Sequence, residues 1–269
     1  MPGLPTDRRR STVLIVVAVA VCALIAAALL LLRPAETPDA GEPVATATGS
    51  PTPADDTAET PAPATEAPAE VFAPAESTVA AVIGDTVTVS ERPGGAATQT
   101  LTNPQPSGAP LVFRVEEVEG EWLRVLLTQR PNGSTGWIPA AAVRLSTTPY
   151  ALVVTTSTNT LDLYEGGVKT QSFPVATGTG GTPTPTGRFA LTELLAPTNS
   201  GYGPFAYGVS AFSEALTSFG GGPGQIGLHG TDDEGSIGSD ASHGCIRMRN
   251  DDIVELAGIL PLGTPIQVR

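Results

Sequence analysis

A long apolar run near the N-terminus constrains this chain of 269 residues more than any other feature. Residues 12–32, TVLIVVAVAVCALIAAALLLL, carry no charge, and a helix of about 20 such residues spans the hydrocarbon core of a bilayer. Arg8, Arg9 and Arg10 precede the run, whereas only Arg33 follows it closely. Because cytoplasmic flanks carry the excess positive charge, we predict a cytoplasmic N-terminus (1–11), a single-pass transmembrane anchor (12–32) and an extracellular remainder.

A cleaved signal peptide is the alternative interpretation of this run. The apolar region of a signal peptide is only about 7–15 residues long, and no small-x-small cleavage pattern follows Leu32 closely. Cys22 lies within the run directly after Val21, so we interpret it as an apolar membrane residue and not as a lipidated cysteine. The sequence therefore favours an uncleaved anchor.

Residues 33–76 are rich in proline, alanine, threonine and acidic side chains. Such a segment cannot bury enough apolar surface to offset the entropy lost on ordering, so we predict that it is disordered. Proline-rich chain extends by about 3.1 Å per residue, which gives a tether reaching at most on the order of 100 Å. We expect this linker to hold a folded part at a distance from the membrane.

The charged and sulfur-containing residues argue against two function classes. A net charge of −13 is unfavourable for binding nucleic acid. The chain has two cysteines, Cys22 and Cys245, and with one of them in the apolar run we expect no internal disulfide. It also lacks a CxxC pair, so a zinc site built from thiolates and histidines would be short of ligands. We predict neither a bound metal nor a cofactor.

Residues 77–146 are predicted to be all β. The segment TVTVS alternates at period two, and two strand-like runs flank Glu119, Gly120 and Glu121, which is typical of a hairpin. The pattern GEWLRVLL … GSTGWIPAAAV contains Trp122 and Trp137 and resembles bacterial SH3-like domains, which are small β-barrels. The resemblance leaves two interpretations open: a wall-binding module, or a spacer whose tryptophans belong to its core.

Residues 149–269 are predicted to form a second, mostly β domain with one late helix. The runs YALVVTT, TLDLYEGG and KTQSFPVATG are rich in β-formers and are separated by Gly and Asn. The helix is predicted to start at Asn250 as N-cap, with acidic residues in its first turn, and to stop before Pro261. Its apolar face is formed by Ile253, Leu256, Ala257 and Leu260.

Within this domain, the segment HGTDDEGSIGSDASHGCIRM (229–248) contains both histidines and the only cysteine outside the apolar run. An exported thiol without a disulfide partner indicates a function, and a neighbouring imidazole lowers a thiol pKa toward the reactive thiolate. His229 can approach Cys245 from a neighbouring strand as proton acceptor. His243, two residues from Cys245, points elsewhere in an extended or sharply turned segment.

Other residues of this segment have roles that the sequence leaves more open. Gly244 permits a tight turn that aims backbone N–H groups at an oxyanion, and Gly230 leaves room for a carbonyl to orient His229. Arg247 is either a surface ion pair or a ligand for a substrate carboxylate. The acidic residues are expected to form a solvated loop; they are Asp232, Asp233, Glu234 and Asp240.

The His-Gly pair, the spacer and the Ser-His-Gly-Cys motif followed by an apolar residue and Arg resemble the signature of YkuD-type L,D-transpeptidases. GTGGTPTPTGRF is also similar to the turn that leads into a core strand of that family. The resemblance covers about residues 149–269 and implies a β-sandwich-like catalytic domain. It implies Cys245 as nucleophile, His229 as base and the Gly230 carbonyl as the group that orients the base.

The same resemblance assigns the oxyanion hole to the amides around His243, Gly244 and Cys245, and it gives Ser242 a role in shaping the site together with His243. The implied reaction is peptidoglycan transpeptidation, in which a tetrapeptide stem forms a thioester, D-alanine is released and an amine of a second stem makes a 3→3 cross-link. The implied location is the cell-wall side of the membrane, and the implied inhibitors are carbapenems.

Several alternatives remain at this point. An L,D-carboxypeptidase would hydrolyse the same thioester. An inactive wall-binding scaffold would bind the cell wall without forming a thioester. An NlpC/P60-like peptidase is excluded because its cysteine precedes its histidine in the chain, whereas His229 precedes Cys245 here. A penicillin-binding protein needs a Ser-x-x-Lys motif. The sole lysine, Lys169, does not form this motif, because the residue three positions earlier is Gly166 and not serine. Residues 200–224, long and glycine-rich, are predicted to be a lid or else a solvated insertion.

Overall fold

The computed structural model describes residues 70–269, which fall within one compact unit of the chain. The predicted cytoplasmic N-terminus, the transmembrane anchor and most of the linker lie outside these residues. In the described part of the chain, no helix is long and apolar enough to cross a membrane. The described residues form two large β-sheets with separate hydrophobic cores, a small two-stranded sheet and one α-helix.

The first sheet contains seven antiparallel strands, in the order β3-β2-β6-β5-β4-β1-β7. Their bounds are Ser77–Val82 (β1), Thr86–Ser90 (β2), Ala97–Thr102 (β3), Val112–Glu119 (β4), Trp122–Leu126 (β5), Thr135–Pro139 (β6) and Val143–Thr148 (β7). The predicted hairpin joins β4 to β5, with Glu119 opposite Trp122 and Gly120 at a positive φ of 56°. An all-β fold is thus confirmed for this part, while the resemblance to SH3-like domains stays a prediction.

The alternation seen in the sequence places one face of these strands in the first core. In β2, Val87 and Val89 are buried and alternate with exposed threonines. Trp137 is buried as well, whereas Trp122 is only half-buried. The tryptophans therefore contribute to the packing of this sheet to different degrees.

The second sheet contains eight strands, in the order β10-β9-β8-β17-β12-β13-β14-β16. Neighbours are antiparallel, except that β17 runs parallel to β8 and β16 runs parallel to β14. The bounds are Tyr150–Thr155 (β8), Thr160–Glu165 (β9), Val168–Pro174 (β10), Gly187–Leu195 (β12), Ala206–Phe212 (β13), Gln225–His229 (β14), Ile246–Arg247 (β16) and Pro265–Val268 (β17). Two further short strands, Thr177–Gly178 (β11) and Asp240–Ser242 (β15), pair with each other in parallel.

The single α-helix among the described residues, α1, spans Asn250–Ile259. Ile253, Leu256 and Leu260 are buried in the second core, as their spacing predicts. The hydroxyl of Tyr207 in β13 is buried and donates to the Leu260 carbonyl over 2.9 Å, which satisfies an acceptor at the helix end. A mostly β domain with one late helix is therefore confirmed.

The prediction that Asn250 caps this helix is wrong. The cap position is Arg249, and Asn250 is the first helical residue. The Oδ1 atom of Asn250 instead accepts a hydrogen bond from the Thr231 amide over 3.0 Å. A local capping pattern was thus overridden by a contact with the loop that follows β14.

Two sequence expectations about segment boundaries also differ from the structure. Within the predicted lid, residues 200–224, the seven residues Ala206–Phe212 form strand β13 and are largely buried between β12 and β14. At the end of the predicted linker, the Phe72 amide donates to Gln267 Oε1 over 2.7 Å, and the Glu70 carbonyl accepts from Gln267 Nε2 over 2.9 Å. These last linker residues bind β17.

Candidate active site

The parallel pairing of β14 and β16 brings His229 and Cys245 together. Leu228 lies opposite Ile246 and His229 lies opposite Arg247, so Cys245 stands beside Gly227. The Gly227 amide donates a hydrogen bond to the Cys245 Sγ over 3.4 Å. Residues distant in sequence are in this way placed side by side at one edge of the sheet.

Gly227 is a residue of this site that the sequence did not single out. A Cβ at this position would lie 3.3 Å from His229 Cδ2 and 3.8 Å from Cys245 Sγ. The absent side chain therefore keeps open the space between imidazole and thiol. No local motif marks Gly227, because its importance arises only from the pairing of two strands.

His229 is buried, with 3% of its surface exposed, and its Nδ1 lies 2.5 Å from the carbonyl oxygen of Gly230. Because a carbonyl only accepts, this contact places the ring proton on Nδ1 and leaves Nε2 free to accept one. Burial lowers the pKa of His229 to about 4; the hydrogen bond to Gly230 opposes this shift and the charge of Arg247 reinforces it. At neutral pH the imidazole is uncharged.

The thiol of Cys245 is also in its neutral form at rest. Burial raises its pKa, and this effect outweighs the Gly227 amide and the charge of Arg247, which both lower it. The sequence predicted a lowered thiol pKa, whereas burial shifts this pKa in the opposite direction because desolvation disfavours the thiolate. A neutral thiol beside a neutral imidazole means that proton transfer must accompany attack on a substrate.

The turn before Cys245 is held by a fully bonded serine. Ser242 Oγ accepts from the Gly244 amide over 3.0 Å and donates to the Cys245 carbonyl over 2.5 Å. Thr184, in the loop before β12, donates to the Gly244 carbonyl over 2.9 Å. Gly244 has a φ of 117° and a missing Cβ that would lie 3.2 Å from Ile226, so glycine is required there.

These bonds decide which amides can stabilise an oxyanion. The Gly244 amide already donates its hydrogen bond to Ser242 Oγ. The amides of His243 and Cys245 donate to no group within residues 70–269. The oxyanion role that the sequence assigned to the whole turn is therefore available to two of its three amides.

His243 is exposed and lines the cavity that Arg247 also lines. Its ring stacks on Phe219 with centroids 5.2 Å apart, whereas the ring of Tyr202 lies 4.8 Å from that of His229. Tyr202 and Phe219 belong to the segment predicted as a lid, which is the only sequence signal that pointed to them. The acidic residues of the 229–248 segment are exposed, as predicted: Asp232, Asp233, Glu234 and Asp240.

Two cavities meet at Cys245. One of about 320 Å³ is lined by Gly227 and Glu193, and the other, of about 240 Å³, is lined by Asn199 and Arg247. Both cavities share a set of four residues, which are Tyr202, Phe219, His229 and Cys245. Arg247 lines the second cavity, and no carboxylate among the described residues forms a salt bridge with it.

Gly230 is packed tightly between two neighbouring segments. A Cβ on it would lie 3.1 Å from both Gly203 and Ile253 and closer still to Asn250 Oδ1. The position next to the base therefore has no room for a side chain, and the carbonyl of Gly230 itself is the group that orients the ring. No group of three or more possible metal ligands was found in the part of the chain that is described.

Comparison with known proteins identifies relatives of the second domain. The family model of the YkuD L,D-transpeptidase catalytic domain matches residues 149–268. The putative L,D-transpeptidase YkuD of Bacillus licheniformis is 38% identical over 123 residues, which are 45% of this chain and 67% of the relative. The protein of the same name from Bacillus subtilis is 37% identical over the same length.

Several solved structures with similarity to the chain are also L,D-transpeptidases. A mutant of the Enterococcus faecium enzyme is 22% identical, with a TM-score of 0.35, and the match covers 45% of this chain and 49% of that one. The chain thus spans about half the length of that protein. L,D-transpeptidase 3 from Mycobacterium tuberculosis, in complex with a faropenem-derived adduct, is 15% identical over 52% of this chain and 76% of its own, with a TM-score of 0.38.

Proposed function

The chain belongs to the YkuD family of L,D-transpeptidases, and from this premise we propose that it forms 3→3 cross-links in peptidoglycan through a thioester on Cys245. The observation that carries the proposal is the meeting of two cavities at this thiol, beside a buried imidazole whose Nε2 is unprotonated. Transfer of an acyl group needs a place for a donor and a place for an acceptor. No cofactor is required, because the thioester conserves the energy of the amide bond.

The first half-reaction forms the acyl-enzyme. His229 Nε2 takes the thiol proton as Cys245 Sγ attacks the carbonyl of the L-centre of the diamino acid at position three of a tetrapeptide stem. The amides of His243 and Cys245 bind the oxyanion; one such donor typically contributes about 3 kcal/mol. Protonated His229 then gives its proton to the departing amine of D-alanine, which leaves a thioester and a neutral imidazole.

The second half-reaction transfers the acyl group. The side-chain amine of a second stem attacks the thioester carbonyl while His229 accepts one of its protons. Collapse of the tetrahedral intermediate forms the new amide and returns the proton to the departing sulfur of Cys245. Arg247 supports the binding of a stem carboxylate in the second cavity, since its guanidinium is the one cation that lines it.

Hydrolysis of the same thioester is the second candidate activity. The presence of a second cavity at Cys245 favours an amine acceptor over water, because it offers a binding surface that water does not need. The scaffold alternative is disfavoured by an arrangement in which thiol, base and two donor amides are all in place. We also propose that residues 12–32 anchor the chain in the cell membrane, with the catalytic domain on the cell-wall side.

The test is incubation of the purified full chain with a tetrapeptide-stem muropeptide, followed by mass spectrometry. We expect a cross-linked dimer with one D-alanine released for each bond, and neither product with Cys245→Ala. Tripeptide without dimer, across several acceptors, would assign the carboxypeptidase activity. Absence of D-alanine release by folded protein would leave the scaffold alternative.

A further inference from the structure

A flap lines both cavities of the candidate active site. We use this term for residues 213–224, which connect β13 to β14. The tip of the flap is a tight turn in which the Phe219 and Gly222 amides donate to each other's carbonyls over 3.0 and 2.9 Å. Phe219 lines both cavities and stacks on His243. The position of this ring therefore determines how open the two cavities are at Cys245.

The base of the flap is bound by the first sheet and not only by its own strands. The loop between β5 and β6 carries Asn132, which pairs with Phe212 at the end of β13. Asn132 Nδ2 donates to the Phe212 carbonyl over 2.8 Å, and the Phe212 amide donates to Asn132 Oδ1 over 2.8 Å. This side chain thereby extends the hydrogen bonding of β13 at the point where the flap begins.

Arg130, from the same loop, joins the two ends of the flap. Its Nη1 donates to the Pro223 carbonyl over 2.9 Å, and its Nη2 donates to the carbonyls of Ser213 and Leu216 over 2.9 and 3.1 Å. The guanidinium carbon also lies 4.8 Å from the ring centre of Phe212. Although Arg130 is exposed as a whole, its guanidinium satisfies three backbone acceptors that would otherwise bind water.

The fit between guanidinium and flap is close. Gly224, the last residue of the flap, has a φ of 75°, and a Cβ there would lie 2.5 Å from the Leu216 carbonyl and 3.4 Å from Arg130 Nη2. A planar fork with five donors can bind several carbonyls at fixed angles, whereas a lysine presents a single charged nitrogen. The geometry therefore uses a property specific to arginine.

We infer that Arg130 and Asn132 are positioning residues through which the first sheet holds the flap over Cys245. The first sheet is then a working part of the catalytic unit and not a spacer. Because the flap lines both cavities beside Cys245, its position governs whether an amine or water reaches the acyl group on this residue. The effect on product outcome rests on the proposed function, whereas the effect on the flap itself does not.

The test uses the full chain and three variants, Arg130→Ala, Arg130→Lys and Asn132→Ala. Two controls match them. Arg144→Ala removes an exposed arginine from β7 of the same sheet. Gln105→Ala removes a different contact between the sheets, a bond from Gln105 Nε2 to the Thr192 carbonyl over 2.9 Å. Thermal unfolding confirms that each variant is folded before it is compared.

Three measurements separate the outcomes. In Arg130→Ala we expect about tenfold faster hydrogen exchange at the Phe219 and Gly222 amides, the factor that loss of a charge-assisted hydrogen bond allows. We expect faster alkylation of Cys245 by iodoacetamide, mapped by peptide mass spectrometry, and a lower ratio of dimer to tripeptide. Arg130→Lys should lie near Arg130→Ala, and both controls should resemble wild type.

Wild-type flap exchange and wild-type alkylation in Arg130→Ala and Asn132→Ala would overturn the inference. The same changes in Gln105→Ala would also overturn it, because they would show a general effect of the contact between the sheets. A loosened flap in a chain that makes no dimer even as wild type would support the positioning role and contradict the proposed function. The two failures are thus distinguishable.

Discussion

His229 donates a hydrogen bond from Nδ1 to the carbonyl of the residue that follows it, Gly230, over 2.5 Å. The proposed base is thus oriented by the chain's own backbone, and this orientation needs no carboxylate as a third member of the site. This contact also distinguishes the two histidines of the chain. His243 stacks on Phe219 and has no comparable hydrogen bond to another described residue. Their substitutions should have different consequences.

Replacement of His229 by alanine should reduce kcat/KM for D-alanine release by about 10²–10⁴, the usual contribution of general acid–base catalysis. His243→Ala removes a stacking contact with the flap, and an aromatic pair is worth about 0.5–1.5 kcal/mol, so its rate should fall by about tenfold or less. Rates are measured on variants whose thermal unfolding matches wild type. Equal rates for wild type and His229→Ala would refute the assignment of the base.

The pH dependence should reflect the lowered pKa of His229. A base with a pKa of about 4 in the folded protein is neutral, and able to accept a proton, at all pH values above that. The acid limb of kcat/KM for the free enzyme should therefore fall near pH 4 and not near 6.5, the ordinary value for histidine. Initial rates between pH 3.5 and 8 give the profile. An inflection near pH 6.5 would show that burial does not lower the pKa of His229.

The same shift affects stability. The unfolded chain binds a proton at His229 below its ordinary pKa, while the folded chain resists it down to about pH 4. The stabilisation associated with a neutral, buried His229 is therefore fully present above pH 6.5 and is lost as the pH falls through 4. Denaturant unfolding of wild type and His229→Gln should show a smaller loss of unfolding free energy in the variant over this range.

A carbapenem should acylate Cys245, an expectation that follows from membership of the family. The strained lactam carbonyl meets the same thiol and the same two amides as the stem carbonyl does. Intact-mass analysis of the full chain should show a single adduct in wild type and none in Cys245→Ser. An adduct on any other residue would contradict the proposed nucleophile.

Topology can be tested without enzymology. If residues 12–32 span the membrane with the arginine cluster inside, protease added to intact spheroplasts should remove residues 77–269 and leave a membrane-bound stub. Immunoblots against tags at the two ends follow the fragments. Protection of the C-terminal domain would reverse the predicted orientation.

Local pattern was enough for much of the fold. The alternation of TVTVS predicted β2, Gly120 marked the hairpin between β4 and β5, and the spacing of Ile253, Leu256 and Leu260 predicted the buried face of α1. These signals are local because backbone geometry repeats every 2 or 3.6 residues. The Ser-His-Gly-Cys motif likewise identified the family, since a short turn must present the thiol and its amides together.

Other features depended on which segments meet in space. The part of the predicted lid that is β13 carries one glycine and several other small residues, and it becomes a strand because β12 and β14 bind it on both sides. The sequence around Asn250 has the pattern of a helix cap, but the side chain of Asn250 accepts a hydrogen bond from the Thr231 amide instead. Propensity is a weak prior that a long-range hydrogen bond can outweigh.

The sequence by itself determined the family and the mostly β architecture of the described domains, and it supplied the residues that we propose for the chemistry. Only the tertiary structure decided the state of the thiol and imidazole, which are both neutral because burial removes them from water. It alone decided that Gly227 lies between the imidazole and the thiol, and that Arg130 reaches the flap from the other sheet. Desolvation and contacts between distant segments are properties of the packed chain, and no window of local sequence contains them.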